Sequence, residues 1–172
     1  MTQLATTLPN VKLSTWSPEK SQNVAATLLG NHWLTVLGFL SNKFGPEASR
    51  EYMTAHAKSY AKLLKAEGLK TPLDIARRLA EDAKNIFGSM IEIRGETNHA
   101  QVECQNCGCG AAMGKLAEAN GVDLSAVMCG SKAQGEKSEG PTAWFSTVAG
   151  EFGFKLHGEL IPPTGYRFTI KG

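Results

Sequence analysis

All four cysteines of the chain fall in one window: Cys104, Cys107 and Cys109 within Val102-Glu103-Cys104-Gln105-Asn106-Cys107-Gly108-Cys109-Gly110, then Cys129. Two kinds of chemistry suit such a group: a single metal centre, or thiols used as redox partners or nucleophiles. Cys104-x-x-Cys107-Gly108 has the shape of a metal knuckle. Two intervening residues let one tight turn aim both sulfurs at one ion, and the following glycine permits the positive φ that such turns often use. Cys109 lies too close to Cys107 to repeat the knuckle but reaches the same centre from the other side, and Cys129 would close the tetrahedron. Four thiolates suit Zn2+ or an iron–sulfur cluster and exclude hard cations such as Mg2+ and Ca2+. The spacing follows neither ferredoxin pattern, which favours zinc and keeps a [4Fe–4S] cluster as the alternative.

Blander roles exist for the same residues. Cys107 and Cys109 suit small positions in a Gly/Ala-rich turn, and Cys104 and Cys129 suit buried apolar ones. Four such coincidences in one window, with no cysteine elsewhere, argue for a site. A thioredoxin-like couple expects the cysteine pair at a helix N-terminus in a βαβ unit, whereas the strands flanking this pair read as antiparallel.

A second set of residues lies on the helices. His32 and Trp33 fall on or beside the apolar stripe of the first helical region, and His56 and Tyr60 on that of the second. Together they are candidates for the lining of an apolar ligand pocket. For His32 the competing role is a core histidine bonded to a backbone carbonyl, and for His56 a place at the core edge. Trp33, Phe39, Tyr60, Trp144 and Phe145 are also ordinary core residues. His99 and His157 occupy outward strand positions. No Ser/His/Asp order, paired carboxylates or phosphate-binding glycine loop accompanies them, and Gly108-x-Gly110 lacks the rest of a dinucleotide fingerprint.

The elements that must position these residues follow from periodicity. Residues 1–16 form a polar N-terminal arm, and residues 17–172 a single domain. Ser17-Pro18 opens a helical region in which Val24, Leu28, His32, Val36 and Phe39 recur at helical spacing. Gly30 and Asn31 interrupt it, leaving one kinked helix or two consecutive ones. Gly45-Pro46 opens a second helix with Met53, Ala57, Tyr60 and Leu64 inward, and Thr71-Pro72 a third with Ile75, Leu79, Ala83 and Ile86 inward, ending at Gly88. The period then changes to two. Met90–Arg94 and His99–Cys104 alternate about a turn at Gly95–Asn98, so Ala100, Val102 and Cys104 share a face. Ala111–Ala119 and Asp123–Met128 read as short helices, Ser131–Gly140 as a mobile polar loop and Pro141–Glu151 as a helix. Phe152–Ile161 and Tyr166–Lys171 close the chain as strands about Pro162-Pro163-Thr164-Gly165. The expected fold is α+β: N-terminal helices packed on a small antiparallel sheet of two hairpins, with helices inserted between them.

Composition sets the bounds. A chain of 172 residues with 42% hydrophobic and 20% charged residues is ordinary for a soluble globular protein. A net charge of +2 is too small to point to nucleic acid. No signal pattern opens the chain and no continuous apolar run matches a membrane span, so cytoplasmic residence without a membrane partner is the default expectation. A homodimer is compatible with the sequence.

The second half resembles L-2-amino-thiazoline-4-carboxylic acid hydrolase-like proteins and the related 4-vinyl reductase domains. There, helices precede a strand ending in cysteine (here Val102-Glu103-Cys104), and a helix leads to another cysteine (here Val127-Met128-Cys129). An antiparallel strand pair then ends the domain (here Phe154–Glu159 and Tyr166–Ile170). The resemblance implies a metal site beside a pocket for a small, aromatic molecule. The final strand, Gly165-Tyr166-Arg167-Phe168, departs from it by lacking an acidic residue and a further cysteine, and Cys107 and Cys109 are additions. The expected function is therefore a cysteine-ligated metal domain that binds or senses a small molecule. The alternatives are a thiol-dependent hydrolase of the thiazoline-carboxylate type, with Cys104 or Cys129 as nucleophile, or an iron–sulfur redox protein.

Overall fold

The computed structural model describes residues 14–119, 121, 140–161 and 164–172. The order is α1 (Pro18–Phe44), α2 (Pro46–Ala66), α3 (Pro72–Phe87), β1 (Met90–Glu96), β2 (His99–Asn106), α4 (Gly108–Ala119), α5 (Gly140–Glu151), β3 (Lys155–Ile161) and β4 (Gly165–Lys171). The fold is the expected α+β arrangement. Arm residues 1–13, the Asp123–Met128 helix, Cys129, loop residues 131–139 and Pro162-Pro163 lie outside the described residues.

The helix ends follow the local chemistry. Thr71 and Asp74 form a reciprocal capping box at α3: Thr71 Oγ1 accepts from the Asp74 N–H at 3.1 Å, and Asp74 Oδ2 from the Thr71 N–H at 3.0 Å. Two otherwise orphaned donors of the first turn are thereby satisfied. Gly88, in the left-handed conformation at φ 63°, closes α3 and hands the chain to Ser89. The cap of α1 is simpler, a single bond from the Lys20 N–H to Ser17 Oγ at 3.2 Å, and the helix runs uninterrupted through Gly30 and Asn31 to Phe44.

The four strands form one antiparallel sheet in the order β1-β2-β4-β3. The two hairpins join where β2 pairs β4, which sets Cys104 opposite Tyr166, Val102 opposite Phe168 and Ala100 opposite Ile170. These six side chains are buried and make the sheet side of the main core, closed by α2, α3 and α5 through Ala57, Ala61, Leu64, Ile75, Leu79, Val148 and Ala149. A second, smaller cluster lies between α1, α2 and α4: Leu34, Leu37 and Ala117, with Trp33, Tyr52, Met53 and Leu116 against them. Ser49 Oγ donates to the Leu37 carbonyl at 2.9 Å across the α1–α2 contact.

Three expectations change. The buried line of α1 is Ala26, Gly30, Leu34 and Leu37, so His32 and Phe39, on the other side, are exposed. The wide apolar content of this helix offers two stripes, and burial chose the one with small residues, where α4 approaches until a Cβ at Gly30 would lie 3.2 Å from Met113 Cγ. Ile86, at the end of α3, is 45% exposed rather than inward. Finally, α1 is by length and composition apolar enough to cross a membrane. No continuous apolar run shows this, because uncharged polar residues are scattered through it.

Candidate functional site

The cysteine neighbourhood is assembled from three chain segments. β2 delivers Cys104 inward at its end, fully buried. Cys107 sits in the short connection to α4, and Cys109 in the first turn of that helix, both half-buried. Ser89, buried between α3 and β1, brings the third segment: its Oγ accepts from the Gly108 N–H at 3.0 Å. The chain passes so near here that a Cβ at Gly108 would lie 1.7 Å from the Phe87 carbonyl oxygen. Only glycine fits, but the reason is this close approach; Gly108 has helical backbone, not the positive φ expected from the sequence. The turn before β4 closes the other side, with the Cys107 N–H donating to the Thr164 carbonyl at 3.3 Å and Thr164 Oγ1 to Asn106 Oδ1 at 3.0 Å.

Donors point at the sulfurs. The Gly110 N–H donates to Cys107 Sγ at 3.3 Å, and the Cys109 N–H also reaches it. The Tyr166 hydroxyl and the Asn106 N–H lie near Cys104, and the Ser89 hydroxyl lies near both Cys104 and Cys107. Burial pushes the Cys104 thiol up to about 11, with the charge of Cys107 adding to it and these donors opposing it. Cys109 is pushed to about 12, again by burial first and Cys107 second, and Cys107 itself is raised by burial. The Tyr166 hydroxyl is raised by burial and by the nearness of all three thiols.

This donor set fits a soft cation in kind. Binding would cancel the charge that burial otherwise forbids, and amide and hydroxyl donors to sulfur are the outer support that metal thiolates use. In position the fit is partial: among the described residues no three His, Cys, Asp or Glu side chains are grouped closely enough to hold one ion. Cys104 and Cys107 share Ser89, and Cys109 is linked to them through Cys107. Cys129 lies outside the described residues, so the four-cysteine set is represented here by three.

The proposed pocket residues divide. His56 and Tyr60 meet Trp144 of α5, and Trp33 joins them through His56. The Trp144 indole N–H donates to His56 Nδ1 at 3.0 Å, which places the proton of the neutral ring on Nε2. The Trp33 ring stands edge-on to His56 with centroids 4.6 Å apart, and Tyr60 lies 5.3 Å from Trp144. Burial lowers the His56 pKa. Tyr60 directs its hydroxyl away from this group, donating to Asp82 on α3, which also takes Arg78. His32 does not join them; it is exposed, and among the described residues its ring pairs with Trp33, edge-on with centroids 6.4 Å apart. From Trp144 the rings continue to Phe145 at 5.3 Å, and from Phe145 to Tyr166 at 5.1 Å. The aromatic group of the helices therefore reaches the cysteines through Tyr166.

Ser89 and Tyr166 are the site residues that sequence reasoning misses; Trp144 reads there as an ordinary core aromatic. Tyr166 shows only as one of an alternating set, and its place beside Cys104 depends on the β2–β4 register. Ser89 carries no signal beyond following a helix-closing glycine. No protein-family model matches the chain, and no curated protein is significantly similar to it.

Proposed function

We propose that the chain is a metal-thiolate domain in which Cys104, Cys107 and Cys109, with Cys129, hold one soft cation, Zn2+ ahead of an iron–sulfur cluster. The observation that carries this reading is the donor arrangement. Buried Cys104 and half-buried Cys107 and Cys109 lie around Tyr166, and the groups near Cys104 and Cys107 (the Gly110, Cys109 and Asn106 amides and the Tyr166 and Ser89 hydroxyls) all favour the thiolate. Without a cation those thiols are held protonated by burial. The cation would supply the missing positive charge and tie β2 to the start of α4.

The same facts weigh against a thiol nucleophile. An activated cysteine has a lowered pKa and a base beside it. Here Cys104 and Cys109 move the other way, and the groups near Cys104 and Cys107 are hydroxyls and amides. Sensing of a small aromatic molecule is supported by the ring series from Trp33 to Tyr166.

Elemental analysis and absorption spectra of anaerobically purified protein test the proposal. One zinc per chain in a colourless sample, or iron with sulfide in a brown one, is expected, and Cys107→Ser should lose it. Wild-type protein with no bound metal, and no uptake of zinc or iron on reconstitution, would overturn it.

A further inference from the structure

Helix α1 carries no Asp, Glu, Lys or Arg between Lys20 and Lys43. Its most apolar window has a mean hydropathy of 1.3, yet only 22% of that window is buried. A core helix of this composition would be enclosed. A spanning helix would have to give up its inner line, and Ala26, Gly30, Leu34 and Leu37 are buried against the domain. What remains is a helix held along one side with an uncharged outer side. On that side Leu28, His32, Thr35 and Phe39 follow one line at helical spacing, and Leu28 and Phe39 are 65% and 55% exposed.

The two ends of the line match each other. Lys20 Nζ lies 4.9 Å above the ring of exposed Trp16, and Lys43 Nζ lies 5.4 Å and 5.6 Å from the rings of exposed Phe39 and Phe44. Aromatic rings and lysines at both ends of an uncharged line that carries exposed Leu28 and Phe39 suit the anchors of a helix lying in a membrane interface. The one acid of the helix, Glu19, stays in the first turn, where the helix dipole favours it. We propose that the outer face of α1 lies on an anionic lipid surface, with Leu28 and Phe39 entering the headgroup boundary and Lys20 and Lys43 meeting lipid phosphates. A second copy of this chain is the poorer occupant. Laying two such faces together along their length sets lysine against lysine, whether the helices run parallel or antiparallel.

The test is sedimentation of the full chain with vesicles of phosphatidylcholine containing about one quarter phosphatidylglycerol. The protein should sediment with them, and bind pure phosphatidylcholine roughly 10- to 30-fold more weakly, as expected for two lysines near the surface. Leu28→Glu with Phe39→Glu should abolish binding and leave the circular-dichroism melt unchanged, because both side chains are exposed. Lys20→Gln with Lys43→Gln should remove only the preference for the anionic lipid. Wild-type protein remaining in the supernatant at low salt would overturn the proposal, as would full binding by the Leu28/Phe39 variant. Concentration-dependent dimerisation that this variant abolishes would assign the face to a second copy and overturn it equally.

Discussion

Helices α3 and α1 join the same domain on opposite terms. In 16 residues α3 buries Ile75, Ala76, Leu79, Ala80 and Ala83 behind Pro72, caps itself reciprocally, and sets Asp74, Arg77, Arg78, Asp82 and Lys84 along its other sides. α1 is longer, at 27 residues, yet buries only Ala26, Gly30, Leu34 and Leu37 and leaves an uncharged side facing outward. Charge patterning tells a helix which way to face, and α1 has almost none. The difference separates two tasks: α3 anchors the sheet and the Ser89 corner of the cysteine site, while α1 lends one side to the domain and keeps the other for contact.

Core truncations should show this contrast most strongly. Ile75→Ala, in the main cluster, should cost about 3–4 kcal/mol, and Leu37→Ala, in the small α1 cluster that can collapse more easily, about 2 kcal/mol. Urea unfolding measures both, and equal losses would remove the distinction. Next come the groups at the site: Tyr166→Phe and Ser89→Ala should each weaken metal affinity by about 10- to 100-fold, the usual effect of removing a ligand's outer partner. Chelator competition gives the number, and wild-type affinity in both variants would show that these hydroxyls do not support the thiolates. Smaller again are the caps. Thr71→Ala should cost about 1 kcal/mol and Ser17→Ala a few tenths, because only the first belongs to a reciprocal box. A larger loss at Ser17 would mean that α1 depends on its own start more than on its packed side.

The smallest effect is one of pH. Burial holds His56 below its ordinary value of 6.5, and the Trp144 indole needs the neutral ring. The unfolded chain takes up its proton first as pH falls. The contribution of His56 is therefore complete above pH 6.5 and is lost as the pH drops to and through the depressed folded value. Thermal melts between about pH 7 and 5 should fall more steeply for wild type than for His56→Phe. Parallel slopes would remove His56 from the account.

What could be read from the chain tracks the same contrast. α3 is legible because three local signals agree: Thr71-Pro72 at the start, Gly88 at the end and Ile75, Leu79 and Ala83 between them. Both hairpins are legible because alternation fixes faces, and Ala100, Val102 and Cys104 are buried as their spacing requires. α1 is not. Its residues offer two apolar stripes of similar strength, and the approach of α4 at Gly30 and of α2 at Leu37 decides between them, which is why His32 faces outward. In the candidate site the cysteines are visible from type and spacing alone. Ser89 and Tyr166 are not, since one arrives through the α3–β1 corner and the other through a register between strands far apart in the chain. Trp144 and His56 likewise meet only once α5 packs on α2.

The most direct test of the metal-thiolate reading is titration of the reduced, metal-free protein with Co2+ under anaerobic conditions. Saturation is expected at one equivalent, with the intense sulfur-to-cobalt charge-transfer absorption of a thiolate site, displaced by zinc and lost in Cys107→Ser. A titration without that absorption, in protein whose four thiols are shown to be reduced, would contradict it and leave the cysteines as buried thiols.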